Sequence, residues 1–285
     1  MIFLVLNIVF GSTFVLAIKW VQSRDREDIV TVGCINYIAA AIVVLPRFAT
    51  AEQGIVVLPA VLTGGGMGLC YFIAYFFVVY AIRYVGVAAS SVVGALSILM
   101  PIVCGIFIWH EHPNFLQFSG IGLALVALML IGGTKTEEGK REKRFWFTPF
   151  LLISFFLLAG LCRLSQVAFR YECEPNQRPT FLLVAFVVAA IPSIGLLLFR
   201  QQRISWSELT MGTGLGMSNI LQSYFLLKSL EYLPGFVVFP AVSAGGLVFI
   251  TLFATAVFKE KLNVKSYVGI GIASIALVLL NWMPK

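Results

Sequence analysis

The chain has 285 residues, of which 60% are hydrophobic and only 12% are charged. Soluble domains carry roughly a quarter of their residues as charged side chains, so this composition excludes a soluble globular protein and favours a membrane protein. The formal charge of +7 comes from short basic clusters between apolar runs, which is typical of loops at a membrane surface and not of a protein that binds nucleic acid.

Ten runs of the chain are apolar and long enough to cross a bilayer, which takes about 20 residues. They cover approximately residues 2–20, 29–48, 58–82, 87–109 and 115–133 in the first half, and residues 146–171, 180–199, 208–230, 235–258 and 264–282 in the second. The segment 134–145 between the halves is too charged to span. We interpret the first run as a span rather than a signal peptide, because no basic segment or cleavage site accompanies it. The sequence therefore predicts an all-α membrane protein with ten transmembrane helices.

The chain carries one module twice. Residues 64–86 align with residues 212–234, and residues 111–131 align with residues 260–280. Identical pairs in these alignments include Gly64/Gly212, Gly68/Gly216, Glu111/Glu260 and Gly120/Gly269. Five spans is an odd number, so the two modules, residues 1–133 and 146–285, are predicted to lie in opposite orientations. Inverted repeats with a site at their interface are a hallmark of secondary transporters.

Glycines and prolines within the predicted spans are candidates for helix contacts and kinks. The paired GxxxG elements put small residues on one helix face and let neighbouring backbones approach, either as plain packing or at the interface of the two modules; they comprise Gly64, Gly68, Gly212 and Gly216. Pro101 and Pro240 each remove one intrahelical hydrogen bond. The resulting kinks are candidates for gates, with a packing role as the alternative.

Polar side chains within apolar runs are costly and mark a cavity or a partner helix. Tyr71 and Tyr75 share a helix face, and Asn219 and Gln222 form a polar arc in the second module. We predict that these four residues line a substrate site, with an ordinary interhelical hydrogen bond as the alternative for each. Lys19 and Arg163 are the predicted charge partners of the substrate.

The acidic residues all lie in connections or at the ends of predicted spans, so no carboxylate is expected inside the membrane. The nearest intramembrane charges are basic, which favours an anionic or zwitterionic substrate over a lipophilic cation. Glu111 and Glu260 follow equivalent spans, and each is predicted to cap the next helix or to pair with a nearby Lys.

Motifs for metal binding and catalysis are missing from the sequence. The five cysteines are scattered without a CxxC pair, and His110 and His112 are two residues apart, a spacing that points the side chains of a helix away from each other. The chain has no HExxH, no GxSxG and no carboxylate pair in a span. We therefore expect no metal, no cofactor and no enzymatic activity; a receptor or scaffold without transport stays open.

Four segments carry a resemblance to a known family. GSTFVLAIKW (Gly11–Trp20) resembles the opening of the drug/metabolite transporter superfamily, in its ten-helix EamA-type branch. Glu231–Val242 with Phe258–Asn281 resembles that family's closing hairpin, with Glu260 and Gly269 at its recurrent Glu and Gly, and Glu111–Gly133 is the counterpart in the first module. The sequence departs from the family pattern at Phe10, where a Trp is expected, and at Asn36, where an Arg is frequent.

The resemblance implies a secondary carrier of small polar metabolites that works by alternating access around a cavity lined by spans 1, 3, 4, 6, 8 and 9. A lipid-linked sugar flippase and a cationic drug exporter share this fold and stay open as alternatives. The implied partners are a small-molecule substrate and the lipid bilayer, in a bacterial inner membrane; proton or exchange coupling and a homodimer through spans 5 and 10 also stay open. The family has both termini in the cytoplasm, whereas the excess of Lys and Arg in the odd-numbered connections places them outside, so the orientation is undecided.

Overall fold

The described part of the chain is built from helices. A computed structural model describes residues 1–22, 28–49, 57–85, 87–132, 148–258 and 264–280, and these residues contain no strand. The α-helices are α1 (Ile2–Gln22), α2 (Ile29–Ala49), α3 (Leu58–Val85), α4 (Val87–Leu96), α5 (Leu99–Phe107), α6 (Phe115–Gly132), α7 (Thr148–Glu172), α8 (Arg178–Arg200), α9 (Trp206–Tyr232), α10 (Gly235–Phe258) and α11 (Val264–Leu280). One turn of 3-10 helix, Pro175–Gln177, precedes α8.

The helices coincide with the ten predicted spans, except that the fourth span is divided into α4 and α5. Pro101 accounts for the division, because it has no N–H to donate to the carbonyl of Ser97. That carbonyl instead accepts a hydrogen bond from the backbone N of Met100 at 3.3 Å, which tightens the chain at the break. Pro240 lies within α10, which is continuous through it.

Four helical segments of the described chain are long and apolar enough to cross a membrane on their own. They are Ile29–Pro46, Leu58–Ala81, Pro149–Glu172 and Pro175–Arg200. Large apolar side chains on these segments face outward: Ile42, Leu62 and Ile191 are each 64% exposed. Lipid accommodates such surfaces where water would not. The protein is thus an all-α membrane protein.

The helices of the first half pack mainly on helices of the second half. α2 lies against α8 and α9, α3 lies against α7 and α8, and α1 lies against α9 and α10. α6 pairs with α11 through Ala124, Ala127, Ala273 and Ala276, all fully buried. The proposed role of α6 and α11 as a dimer face stays a prediction.

The paired glycines lie at two close helix contacts. On α3, a Cβ at Gly64 would lie 2.6 Å from the carbonyl oxygen of Phe181, and one at Gly68 would lie 2.9 Å from the Cβ of Val188. Both contacted residues belong to α8. Only residues without a side chain let the two backbones lie this close.

The glycines of α9 make the corresponding contacts with α2. A Cβ at Gly212 would lie 2.5 Å from the Cβ of Ile35, and one at Gly216 would lie 2.6 Å from the carbonyl oxygen of Asn36. The residues that these glycines contact are also equivalent in the two modules. With the offset of 149 that separates Glu111 from Glu260, Ile35 aligns with Val184 and Asn36 aligns with Ala185. Val184 and Ala185 are among the residues of α8 that contact Gly64 and Gly68 of α3.

Candidate binding cavity

A cavity of about 360 Å³ lies between the two halves of the described bundle. Its walls come from α1, α3, α4, α7, α9 and α10, the six helices that the resemblance predicts, with Tyr37 added from α2. The volume lies within the usual range for small-molecule sites. Its polar lining consists of Asn7, Ser12, Tyr37, Tyr71, Tyr75, Ser90, Arg163, Gln166, Asn219, Gln222, Ser223 and Ser243.

Tyr71 lines the cavity and contacts helices of both halves of the protein. Its hydroxyl lies 3.1 Å from Ser223 Oγ on α9 and accepts a hydrogen bond from Gln166 Nε2 on α7 at 3.5 Å. Its backbone carbonyl accepts a hydrogen bond from the hydroxyl of Tyr37 at 2.7 Å. A single phenol therefore joins α3, α7 and α9 at the polar lining.

Tyr75, one turn after Tyr71, has a structural bond as well as a place in the lining. Its hydroxyl donates to the backbone carbonyl of Ile29 at 2.7 Å, and the side chain is 5% exposed. Gly33 makes room for it, because a Cβ at Gly33 would collide with the Tyr75 ring. The Tyr75 hydroxyl thus makes an interhelical hydrogen bond, and a substrate contact of its ring stays a prediction.

Asn219 and Gln222 belong to a chain of side-chain amides. Gln222 Nε2 donates to Asn219 Oδ1 at 3.1 Å, and Asn219 Nδ2 donates to Asn36 Oδ1 on α2 at 3.2 Å. On the other side, Asn7 Nδ2 of α1 donates to the backbone carbonyl of Gln222 at 2.6 Å. The amides connect α1, α9 and α2, and three of them line the cavity.

Arg163 brings a positive charge to the cavity wall. Its guanidinium donates to Ser243 Oγ on α10 at 3.3 Å. Within the part of the chain that the structure describes, no Asp or Glu forms an ion pair with it and none lines the cavity. A guanidinium in apolar surroundings without a carboxylate favours the approach of an anion. Lys19 lies in α1, but its side chain is outside the described part of the chain.

Glu111 makes different contacts from those predicted. Its carboxylate accepts hydrogen bonds from the backbone N–H groups of Gly235 at 3.0 Å and Phe236 at 3.3 Å, so it caps α10 and not the next helix, α6. Its charge partner is Arg170 at 3.3 Å rather than a Lys, and the hydroxyl of Tyr171 donates to it at 2.6 Å. The physical reason is that α7 ends and α10 begins beside the α5–α6 connection, which no local pattern reveals.

The Glu111 cluster, which consists of Glu111, Arg170, Tyr171 and the backbone of Gly235 and Phe236, is tightly enclosed. A Cβ at Gly105 of α5 would lie 2.8 Å from the Glu111 carboxylate, so a larger residue there would displace this carboxylate from its present position. The ring of Trp109 stacks on Tyr171 at 5.2 Å. The cluster fastens the α5–α6 connection to the ends of α7 and α10. Glu260, its predicted equivalent, is outside the described residues.

A second charged cluster holds the starts of α2 and α9 together. Asp28 pairs with Arg200, and its backbone N–H donates to Glu208 at 2.9 Å. Burial acts to raise the pKa of Asp28, but hydrogen bonds from Thr31 and two backbone N–H groups, with the charge of Arg200, leave that pKa below its usual value of 3.8. Glu208 and Ser205 also form a capping box at the start of α9.

The remaining lining shows what sequence reasoning missed. Asn7 and Gln166 are polar residues in apolar runs and carry a readable signal, but nothing local assigns them to this cavity. Ser12 and Ser243 are small residues of a type that is common in spans, so they give no such signal. Among the described residues, no three His, Cys, Asp or Glu side chains lie together as metal ligands would.

Comparison with known proteins adds to this geometry. Residues 1–133 match the EamA-like transporter family. An uncharacterised protein of Haemophilus influenzae is 23% identical over 208 residues, which make up 72% of this chain and 70% of that protein. The quaternary ammonium compound-resistance protein QacG of a Staphylococcus strain is 36% identical over 72 residues, which are 25% of this chain and 65% of QacG. A crystal structure with 16% sequence identity has a TM-score of 0.72, covering 98% of this chain and 95% of the other, which shows a shared fold.

Proposed function

Since residues 1–133 belong to the EamA-like transporter family, we propose that the protein is a secondary carrier of small polar metabolites that are anionic or zwitterionic. The chain is an integral membrane protein, and its relatives in Haemophilus and Staphylococcus support a place in the bacterial cell membrane. The observation that carries the substrate class is Arg163, a cavity-lining cation that forms no ion pair with the described residues.

Arg163 acts as the anion-binding group of this site. A carboxylate or phosphate would take the place that a protein carboxylate usually has beside a half-buried guanidinium. The hydroxyls and amides of Tyr71, Gln166 and Gln222 supply directional hydrogen bonds, and apolar side chains such as Phe155 and Phe239 enclose the organic part of the substrate.

The carrier works by alternating access between two inverted modules, residues 1–133 and 146–285. Support comes from the glycine contacts, which pair α3 with α8 and α9 with α2 at equivalent positions. In this conformation the Glu111 cluster ties the two halves together at one end of the bundle. Movement of one module relative to the other would open that end and close the opposite one.

Export of cationic drugs is the alternative that one comparison favours, because QacG is a quaternary ammonium compound-resistance protein. A proton-coupled exporter of lipophilic cations normally has a carboxylate inside the membrane that binds the cation and the proton in turn. The described cavity lining contains Arg163 and no Asp or Glu, so the anionic or zwitterionic substrate is the better match. A flippase for lipid-linked sugars would need a lateral opening from the cavity to lipid.

The test is a thermal stabilisation screen of the purified full-length protein against metabolites sorted by charge. A ligand that binds only the folded state raises the melting temperature. Carboxylates, phosphates or zwitterions should stabilise the wild type, and Arg163→Met should remove the effect. Arg203→Met, which changes an exposed arginine in the α8–α9 connection, is the matched control. Compounds that stabilise the protein would then be assayed for counterflow in liposomes.

Two results would overturn the proposal. One is stabilisation by lipophilic cations alone. The other is undiminished transport of an anionic or zwitterionic substrate by a variant in which both Lys19 and Arg163 are replaced by Met.

A further inference from the structure

Asn7 carries a buried acceptor that no residue in the described part of the chain satisfies. The side chain is 3% exposed and lines the cavity, and its Oδ1 has no hydrogen-bond partner. The amide cannot be turned over, because Nδ2 donates to the backbone carbonyl of Gln222 at 2.6 Å and a flip would bring two oxygens together. A buried acceptor without a donor is unfavourable and needs an explanation.

Gln222 presents a second acceptor beside it. Its Nε2 donates to Asn219 Oδ1, and Asn219 Nδ2 donates in turn to Asn36 Oδ1. Oε1 is therefore the free end, and no hydrogen bond to it comes from the described residues. Gly11 lies against this oxygen, since a Cβ there would be 2.9 Å away.

The cavity lining thus carries two kinds of polar group. Arg163 is a cationic donor, whereas Asn7 and Gln222 offer amide oxygens that accept no hydrogen bond from the described residues. A simple carboxylate or phosphate pairs with the guanidinium and leaves the amide oxygens unpaired. An anion that also carries an N–H or O–H group satisfies both, and sites built on hydrogen bonds discriminate strongly against ligands that lack the matching group.

We propose that the amide oxygens of Asn7 and Gln222 form a donor-recognising subsite, which selects anions that bear an ammonium, amide N–H or hydroxyl group over simple anions. The subsite rests on the proposed function, because Arg163 binds the anionic group. Asn7 is the specificity-determining residue, because a donor on the ligand would satisfy the buried acceptor that no described residue satisfies.

The experiment uses four probes that share a carboxylate and a phenyl ring: 3-phenylpropanoates bearing an amino, hydroxyl, methyl or trimethylammonio group at C2. Apparent affinities for the full-length protein in detergent come from the concentration dependence of thermal stabilisation. We expect the amino and hydroxy probes to bind about tenfold more tightly than the methyl probe. The trimethylammonio probe keeps the positive charge but has no N–H, and it should bind no better than the methyl probe.

Asn7→Leu removes the acceptor with little change in side-chain volume. In this variant the ratio of the affinity for the amino and hydroxy probes to that for the methyl probe should fall close to one. If that variant does not fold, Gly11→Ala tests the same subsite, because the added methyl displaces Gln222 Oε1. Gly214→Ala on α9, where a Cβ would meet nothing within 4 Å, is the matched control and should keep the full preference.

The outcomes separate this subsite from the function on which it rests. Equal binding of all four probes, lost in Arg163→Met, would overturn the subsite and leave the anion carrier intact. Strong preference that survives both Asn7→Leu and Gly11→Ala would also overturn it. Binding of no probe, or binding that ignores Arg163, would instead count against the proposed function.

Discussion

Replacement of Gly64 or Gly216 by Ala should push apart the two helices that meet at that glycine. A Cβ at Gly64 would lie 2.6 Å from the Phe181 carbonyl oxygen, and one at Gly216 would lie 2.6 Å from the Asn36 carbonyl oxygen. Ordinary contact begins at 3.4 Å, so the backbones would have to move apart by about 0.8 Å (3.4 − 2.6), and overpacking of this kind costs about 1–3 kcal/mol.

Each of these variants has a control on the same helix. A Cβ at Gly65 on α3, or at Gly214 on α9, meets nothing within 4 Å. In these controls the methyl group brings only the better helix propensity of Ala, which contributes about 1 kcal/mol. Gly64→Ala should therefore be about 1–3 kcal/mol less stable than Gly65→Ala, and Gly216→Ala should differ from Gly214→Ala by a similar amount.

The assay is thermal unfolding in one detergent, followed by tryptophan fluorescence and by the loss of the monodisperse peak in size-exclusion chromatography. Gly64→Ala and Gly216→Ala should melt several degrees below their controls, and by similar amounts because the two contacts are equivalent. Melting of Gly64→Ala at or above the temperature of Gly65→Ala would refute the close approach of α3 and α8.

Three further predictions follow from single side chains. Glu111→Gln should destabilise the protein by about 1–3 kcal/mol in thermal unfolding, because it removes the charge opposite Arg170 and weakens the cap on α10. Asp28→Asn should reduce the loss of thermal stability that the wild type shows as the pH falls. The pKa of Asp28 is lower in the folded state than its usual value of 3.8, so its stabilising contribution is present above pH 3.8 and is lost as the pH falls below that value. Tyr71→Phe should weaken binding of a stabilising ligand about tenfold, whereas Tyr75→Phe, which removes a bond to a backbone carbonyl, should lower stability and leave ligand affinity unchanged.

Each of the three has a contradicting result. Glu174→Gln, which changes an exposed carboxylate outside the Glu111 cluster, is the control for Glu111→Gln. An equal loss of thermal stability in the two variants would contradict the stabilising role of the cluster. An acid limb that is identical in wild type and Asp28→Asn would contradict the lowered pKa. Equal ligand affinities in Tyr71→Phe and wild type would exclude the Tyr71 hydroxyl from the site.

The sequence predicts the helices well because apolar runs of span length are a local property. Only the fourth span differs, and there a proline at the third residue of α5 breaks it. The family resemblance also predicts which helices line the cavity. It does not predict the contacts of Glu111, whose partners Arg170 and Gly235 lie 59 and 124 residues away. It also leaves Asn7 and Ser243 unassigned, since their roles depend on which helix faces which.

The packing of the first half on the second half has a consequence for synthesis of the protein. During translation α1 to α6 enter the bilayer before α7 to α11 exist, and their most extensive contacts are with the later helices. The glycine face of α3 and the polar face of α2 around Asn36 therefore contact lipid or an insertion factor until α8 and α9 have been synthesised and inserted. We expect a chain released after residue 133 to be inserted yet degraded, and co-expressed halves to assemble only when both are present.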